Sequence, residues 1–279
     1  MPEGDTIFRA ARTLHRALSG KAVVRFASVL PALTRVHDDH PLTGRIVEEV
    51  RSVGKHLLMQ FSGDLVLRTH MKMNGSWHIY RPGEPWQKPR IAMRVLVATA
   101  DFEAVGFSIP VAEFLTPREL QRHGELRSLG PDLLGDHFDA AAALTRARER
   151  PAMEIGDALL NQRIMAGIGN VYKSEVLYAC RVNPFTPVAE VSDADLTCLI
   201  ATAHRFLVAN VSTGLAPMTT YTGYRRTTRR DDPSERLAVY GRARLPCRRC
   251  ATPIRVKPQG RDARLTYWCP KCQTAGADA

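Results

Sequence analysis

Near its C-terminus the chain carries Cys247-x2-Cys250 and Cys269-x2-Cys272, with eighteen residues between the two pairs. Pairs at this spacing bring four thiolates to one tetrahedral zinc, and a four-thiolate site leaves no open coordination position, so the metal is structural. The segment should fold as a zinc-held β-ribbon, because so short a stretch cannot build an apolar core of its own. The other two cysteines, Cys180 and Cys198, are expected as buried thiols, since six cysteines in 279 residues are too few for a disulfide scaffold.

The same end of the chain holds most of the charge. Residues 225–279 contain fourteen Arg and Lys against five acids, which is +9 of a net +11. An Arg excess of this kind matches phosphate oxygens, and on a module with metal-ligand spacing it points to nucleic acid rather than to a membrane surface. No apolar run reaches the ~18 residues that a membrane-spanning helix needs, and Met1 to Asp5 lacks a secretory apolar core. The expectation is a cytoplasmic, nucleic-acid-associated protein with no membrane partner. At 44% apolar and 24% charged residues, disorder as the main state is excluded.

Hydrophobic periodicity divides the rest. Ile7, Ala11, Leu14 and Leu18 share one face of a helix over Thr6 to Ser19, with Asp5 as candidate N-cap and Gly20 as stop. Strand-like runs follow at Ala22 to Leu30, His56 to Phe61, Leu65 to Thr69 and Met93 to Ala100, with Ser62-Gly63-Asp64 as a hairpin turn. They predict an antiparallel sandwich or barrel. After Leu129-Gly130-Pro131 the spacing turns helical, over Phe138 to Arg148, Ala152 to Ala166, Val171 to Cys180 and Asp193 to Val211. The fold class is therefore α+β and multidomain, with domains expected at 1–128, 129–235 and 236–279.

Two further features carry chemistry. Gly167-Ile168-Gly169-Asn170 joins two predicted helices; its glycines permit left-handed backbone, Asn170 is placed to cap the second helix, and exposed N–H groups at a helix start suit a phosphate. At the other end, removal of Met1 would expose Pro2 as a secondary amine beside Glu3. An α-amino group titrates near ~7.7–8 against ~10.4 for lysine, so it is the more available nucleophile for a masked aldehyde. Proline would form an iminium, and Glu3 could donate the proton that opens a sugar ring.

Met-Pro-Glu-Gly at the start, Val53-Gly54-Lys55-His56-Leu57-Leu58, the Gly167 to Asn170 turn and Tyr267-Trp268-Cys269-Pro270-Lys271-Cys272-Gln273 occur in one order along the chain. Together they resemble the formamidopyrimidine-DNA glycosylase and endonuclease VIII family of base-excision repair enzymes. The resemblance implies an N-terminal β-sandwich with a leading helix, a helix-two-turn-helix domain and a C-terminal zinc finger. Damaged double-stranded DNA would lie in the cleft between the two lobes. It also implies an enzyme that removes a damaged base and then cuts the strand. On it, Pro2 matches the Schiff-base nucleophile, Glu3 the general acid, Lys55 a phosphate-contacting lysine that assists elimination, and Asn170 the phosphate-binding asparagine. Arg264 matches the zinc-finger arginine that grips phosphates beside the lesion and is linked to the second elimination, with Arg261 as the alternative. His70-Met71-Lys72-Met73-Asn74-Gly75 aligns with the loop that fills the gap left by a flipped nucleotide. Met73 is its apolar wedge, unless it is core on an alternating strand, and Lys72 and Asn74 would face the opposite strand.

Two departures favour the endonuclease VIII branch, which acts on oxidised pyrimidines, over the oxidised-purine branch. The start reads Met-Pro-Glu-Gly rather than Met-Pro-Glu-Leu. Asp101-Phe102-Glu103-Ala104-Val105-Gly106 lacks the arginine and phenylalanine of the purine branch's Asp-x-Arg-x-Phe-Gly loop. Thr6 stands where much of the family has glutamate. Tyr221 and Tyr224 lie near a base-covering loop of some relatives and would either stack on a base or pack.

Overall fold

The computed structural model describes residues 2–212, 225–228, 230, 232 and 234–274. They fall into two compact units, one ending at Ser128 and the other running from Leu129 onwards.

In the first unit, α1 (Gly4–Leu18) starts earlier than its apolar spacing predicts, and its N-cap is Glu3 rather than Asp5. The Thr6 hydroxyl accepts the Glu3 backbone N–H at 3.4 Å, which closes the first turn ahead of Asp5. Asp5 instead pairs with Arg9 one turn on, at 3.5 Å. Then come β1 (Arg25–Ser28), α2 (Pro31–Asp39), β2 (Val47–Val53), β3 (His56–Phe61), β4 (Leu65–His70), β5 (Ser76–Tyr80), β6 (Met93–Ala98), β7 (Glu103–Phe107) and β8 (Val111–Leu115). The strands form two antiparallel four-stranded sheets, ordered β1-β6-β7-β5 and β2-β3-β4-β8. Leu57, Met59, Phe61 and Leu67 alternate inward to meet Ile7, Leu14 and Leu18 of α1, all fully or almost fully buried. Each such burial contributes about 1.5–3 kcal/mol. The Ser62 to Asp64 turn joins β3 to β4 with Gly63 and Asp64 at φ 77° and 57°. The run expected over Ala22 to Leu30 keeps only four strand residues, because Pro31 at the first helical position starts α2. Two short helices, α3 (Pro117–Arg122) and α4 (Gly124–Arg127), end the unit.

The second unit holds α5 (Ala140–Arg148), α6 (Ile155–Leu160), α7 (Asn170–Ala179), α8 (Asp193–Ser212) and the hairpin β9 (Arg255–Gln259) with β10 (Arg264–Trp268). The helix expected over Ala152 to Ala166 is far shorter. Asn161 Oδ1 accepts the Arg163 N–H at 3.0 Å, and Gln162 caps the backbone at Leu160, Gly167 and Ile168, so side chains take over the hydrogen bonds that a longer α6 would use. The N-cap of α7 is Gly169, and Asn170 is its first residue rather than its cap. Cys180 and Cys198 are bonded to each other, half-buried and exposed respectively, rather than buried thiols. The end of α7 runs beside the start of α8 with the two Cα atoms 6.1 Å apart, inside the range that a disulfide spans.

Candidate active site and metal centre

Pro2 is half-buried and Glu3 wholly buried at the head of α1, so the candidate nucleophile and acid are adjacent on a rigid helix end. Lys55 occupies the two-residue turn between β2 and β3, closed by the Val53–His56 pair. Gly54 at φ 57° supplies the positive dihedral that the first position of such a hairpin turn needs, which is why glycine precedes the lysine.

His56 and His70 face each other across β3 and β4, ring centroids 4.7 Å apart. Burial and then the charge of Arg68 hold His56 down at about 2, and burial and then Lys72 and Lys55 hold His70 down at about 4. Both rings are neutral at physiological pH. That state is required at His70, whose Nδ1 accepts the Lys72 backbone N–H at 3.0 Å. Arg68, 2% exposed, pairs with Glu113 and Glu125, and His123 lies 3.2 Å from Glu113.

The tip between β4 and β5 separates two methionines that look alike in sequence. Met71 is core at 1% exposed, whereas Met73 is 49% exposed between exposed Lys72 and Asn74. Lys72 at φ 48° breaks the strand alternation, and Gly75 closes the turn by donating to the Met71 carbonyl at 2.9 Å. A Cβ at Gly75 would lie 2.6 Å from that carbonyl oxygen, so only glycine fits. Of the two readings of Met73, strand core is excluded.

In the β6–β7 hairpin, Glu103 pairs with Arg25 at 2.6 Å and accepts from the Trp86 indole at 3.2 Å. Val105 is fully buried among Tyr80, Leu96 and Phe107.

In the second unit, α7 meets β10 through a row of polar side chains. Asn170 Nδ2 donates to the Leu265 carbonyl at 2.7 Å, and Ser174 Oγ accepts the Tyr267 N–H at 3.3 Å. Asn170 Oδ1 is buried with no hydrogen bond among the described residues. Glu175, 1% exposed, accepts the backbone N–H groups of Ala238, Val239 and Tyr240, each at 2.8 Å, and the Thr227 hydroxyl. Arg264 opens β10, 3.9 Å from Asp262, while Arg261 is exposed in the hairpin turn.

The four cysteines converge, with Sγ atoms all within 4.8 Å of one another. Cys250 lies 3.4 Å from both Cys269 and Cys272, and Cys247 lies 3.9 Å from Cys272. A tetrahedron with Zn–S of ~2.3 Å has edges of about 3.8 Å, so the cluster fits one zinc. Tyr178 of α7 reaches Cys247 Sγ through its hydroxyl at 3.4 Å, and Arg249 stacks over the Tyr178 ring at 4.2 Å.

The periodicity reading missed His56, His70, Lys173, Glu175, Gln259 and Thr266. Lys173-Ser174-Glu175, a polar run between the apolar Val171-Tyr172 and Val176-Leu177-Tyr178, was the available signal. Tyr221 and Tyr224 lie outside the described residues.

Residues 1–110 match the family model of the formamidopyrimidine-DNA glycosylase N-terminal domain, and residues 129–222 that of the H2TH domain of the same glycosylases. The chain belongs to the formamidopyrimidine-DNA glycosylase and endonuclease 8 family. It is 42% identical over 280 residues to a probable endonuclease 8 2 of Streptomyces coelicolor, covering 99% of this chain and 95% of that protein. It is 37% identical to the DNA-(apurinic or apyrimidinic site) lyase Nei2 of Mycolicibacterium smegmatis, covering 99% and 100%. With endonuclease 8 of Escherichia coli the identity is 31%, covering 98% and 100%. A Lactococcus lactis Fpg in complex with abasic-site DNA superposes with a TM-score of 0.82 at 20% identity over 98% of this chain and 100% of that one, a likeness of fold.

Proposed function

We propose that this family member excises oxidised pyrimidines from duplex DNA through a Pro2 Schiff base and cuts the strand by β- and then δ-elimination. The coarser statement, a DNA glycosylase and abasic-site lyase, follows from the family. The finer reading rests on the β6–β7 hairpin. The purine branch's arginine and phenylalanine correspond here to Glu103, engaged by Arg25 and Trp86, and to Val105, which is fully buried. Neither is available as a wedge, so the gap left by a flipped nucleotide falls to the exposed Lys72-Met73-Asn74 tip.

In the proposed reaction the Pro2 nitrogen, freed by loss of Met1, bonds to the sugar's anomeric carbon as the glycosidic bond breaks and the base departs with a proton. Glu3 protonates the ring oxygen, and the ring-opened sugar is left as an iminium. Loss of the C2′ proton into that electron sink expels the 3′ phosphate, and a second elimination expels the 5′ phosphate. Lys55, Asn170 and Arg264 hold backbone phosphates. Cys247, Cys250, Cys269 and Cys272 hold one structural zinc, which supplies folding energy to the module and no chemistry. The protein works as a monomer on damaged double-stranded DNA.

Borohydride trapping of the Met1-processed protein on duplexes bearing an abasic site, a thymine glycol or an 8-oxoguanine tests this. Adducts on the first two with little on the third are expected. Strong 8-oxoguanine trapping would reverse the branch, and no adduct despite DNA binding would refute catalysis through Pro2.

A further inference from the structure

Lys173 is wholly buried in the middle of α7. An ammonium ion without water costs several kcal/mol unless it is paired, so its partners matter. Its Nζ donates to Thr266 Oγ1 at 2.6 Å, and that hydroxyl donates to Gln259 Oε1 at 2.7 Å. Gln259 Nε2 in turn donates to Glu154 Oε2 and to the Pro184 carbonyl, both at 2.8 Å. Thr266 and Gln259 are 0% and 4% exposed. The chain of bonds has only one possible polarity: the ammonium can only donate, the carboxylate only accepts, and the hydroxyl and amide between them must pass donor to acceptor in the same direction. Aligned bonds of this kind strengthen one another in a low-dielectric interior.

Its position on the hairpin gives it a function. Gln259 is the cross-strand partner of Arg264, and Thr266 is two residues on from Arg264 along β10, so all three share one face of the ladder. The hairpin is secured elsewhere at its other end, where Trp268 leads into Cys269 and the thiolate cluster. A two-stranded ribbon is marginal by itself, and a slip of one residue would carry Arg264 by about 3.3 Å. The backbone of α6 is fitted to the relay: a Cβ at Gly156 would lie 2.4 Å from Gln259 Oε1, and one at Gly260, in the turn, 2.3 Å from Asp157 Oδ1.

We propose that Thr266 and Gln259 are positioning residues that hold Arg264 at the height the second elimination requires, and that the zinc cluster alone does not set it. This rests on the reading of Arg264 as the arginine of that step.

The test compares Thr266→Val, Thr266→Ser and Arg264→Gln in single-turnover reactions on an abasic-site duplex, resolving β- from δ-elimination products, with zinc stoichiometry and borohydride trapping measured alongside. Thr266→Val removes the hydroxyl at constant shape. It should slow conversion of β- to δ-product about 10-fold, because misplacement of about an ångström in a working group costs 10- to 100-fold. One zinc per chain and the trapped adduct should be retained. Thr266→Ser restores the hydroxyl and should return the rate to within about 3-fold of wild type. An unchanged δ-rate in Thr266→Val while Arg264→Gln loses the δ-product would overturn the positioning role. Loss of zinc from Thr266→Val that Gln259→Met repeats would also overturn it, making the relay a support of the whole module. Full δ-activity in Arg264→Gln would remove the reading of Arg264 itself.

Discussion

In the sandwich, Leu57, Met59, Phe61 and Leu67 meet Ile7, Leu14 and Leu18 across an apolar interior supplied entirely by that unit. The cysteine module buries Ala238, Val239 and Ile254 against two of its own cysteines and against Tyr178, which belongs to α7. The rest of its attachment is polar: Glu175 collects three backbone N–H groups, Arg249 donates to the carbonyls of Tyr178 and Ala179, and Gln273 donates to that of Val182. Apolar burial scales with area and tolerates small shifts, whereas charged and amide hydrogen bonds lose their value within an ångström. The sandwich is thus free to carry the candidate nucleophile on an ordinary core, and the module's accuracy is borrowed from α7.

The largest effect should come from chemistry that neither kind of packing supplies. Pro2→Gly, which exchanges the secondary amine for a primary one, should lower borohydride trapping on the order of 10³-fold, with thermal stability unchanged. An equal adduct yield would show that the proline's secondary amine is not required.

Zinc removal separates the two regions. Chelation, or Cys250→Ser, should cut strand cleavage by about two orders of magnitude through loss of the module. The sandwich should keep its hydrogen-exchange protection. Full activity in verified zinc-free protein would contradict a structural metal.

Two substitutions of similar cost should then diverge. Leu57→Ala should destabilise by about 2–5 kcal/mol through a cavity while zinc binding stays intact. Glu175→Ala should cost about 3 kcal/mol, because it leaves buried N–H groups without an acceptor, and should weaken zinc binding as well. Chemical denaturation with a zinc-release readout distinguishes them. Next, Met73→Ala should slow base release from a paired lesion about 10-fold, with a smaller effect on a single strand where no stack is broken.

The smallest effect is a pH slope. His70 titrates at about 4 in the fold against 6.5 unfolded, so between those values the unfolded chain binds more protons and stability falls as pH falls. Below about 4 this loss is complete. His70→Asn, which keeps an acceptor for the Lys72 N–H, should flatten the thermal-shift slope between pH 6.5 and 4. An unchanged slope would assign it to His56 or to carboxylates.

Much of this was legible along the chain. Strands β3, β4 and β6 and the buried face of α1 followed from periods of 2 and 3.6, and the thiolate cluster from two tight cysteine pairs. What failed did so for local reasons. Asn161 and Gln162 captured backbone groups that periodicity assigned to a longer helix, and the Thr6 hydroxyl moved a cap from Asp5 to Glu3.

Residue type and spacing were enough for the four-cysteine cluster, the charge excess and the family, because each is a property of order along the chain. Only the folded molecule joined Cys180 to Cys198, turned Glu103 onto Arg25, and ran the hydrogen-bond relay from Lys173 through Thr266 and Gln259 to Glu154. Apart from the Thr266–Gln259 bond within the hairpin, these pairings span 18 to 105 residues. A short-range pattern cannot encode which distant polar groups meet; that is decided when burial removes water and leaves each of them only the partners the fold brings within reach.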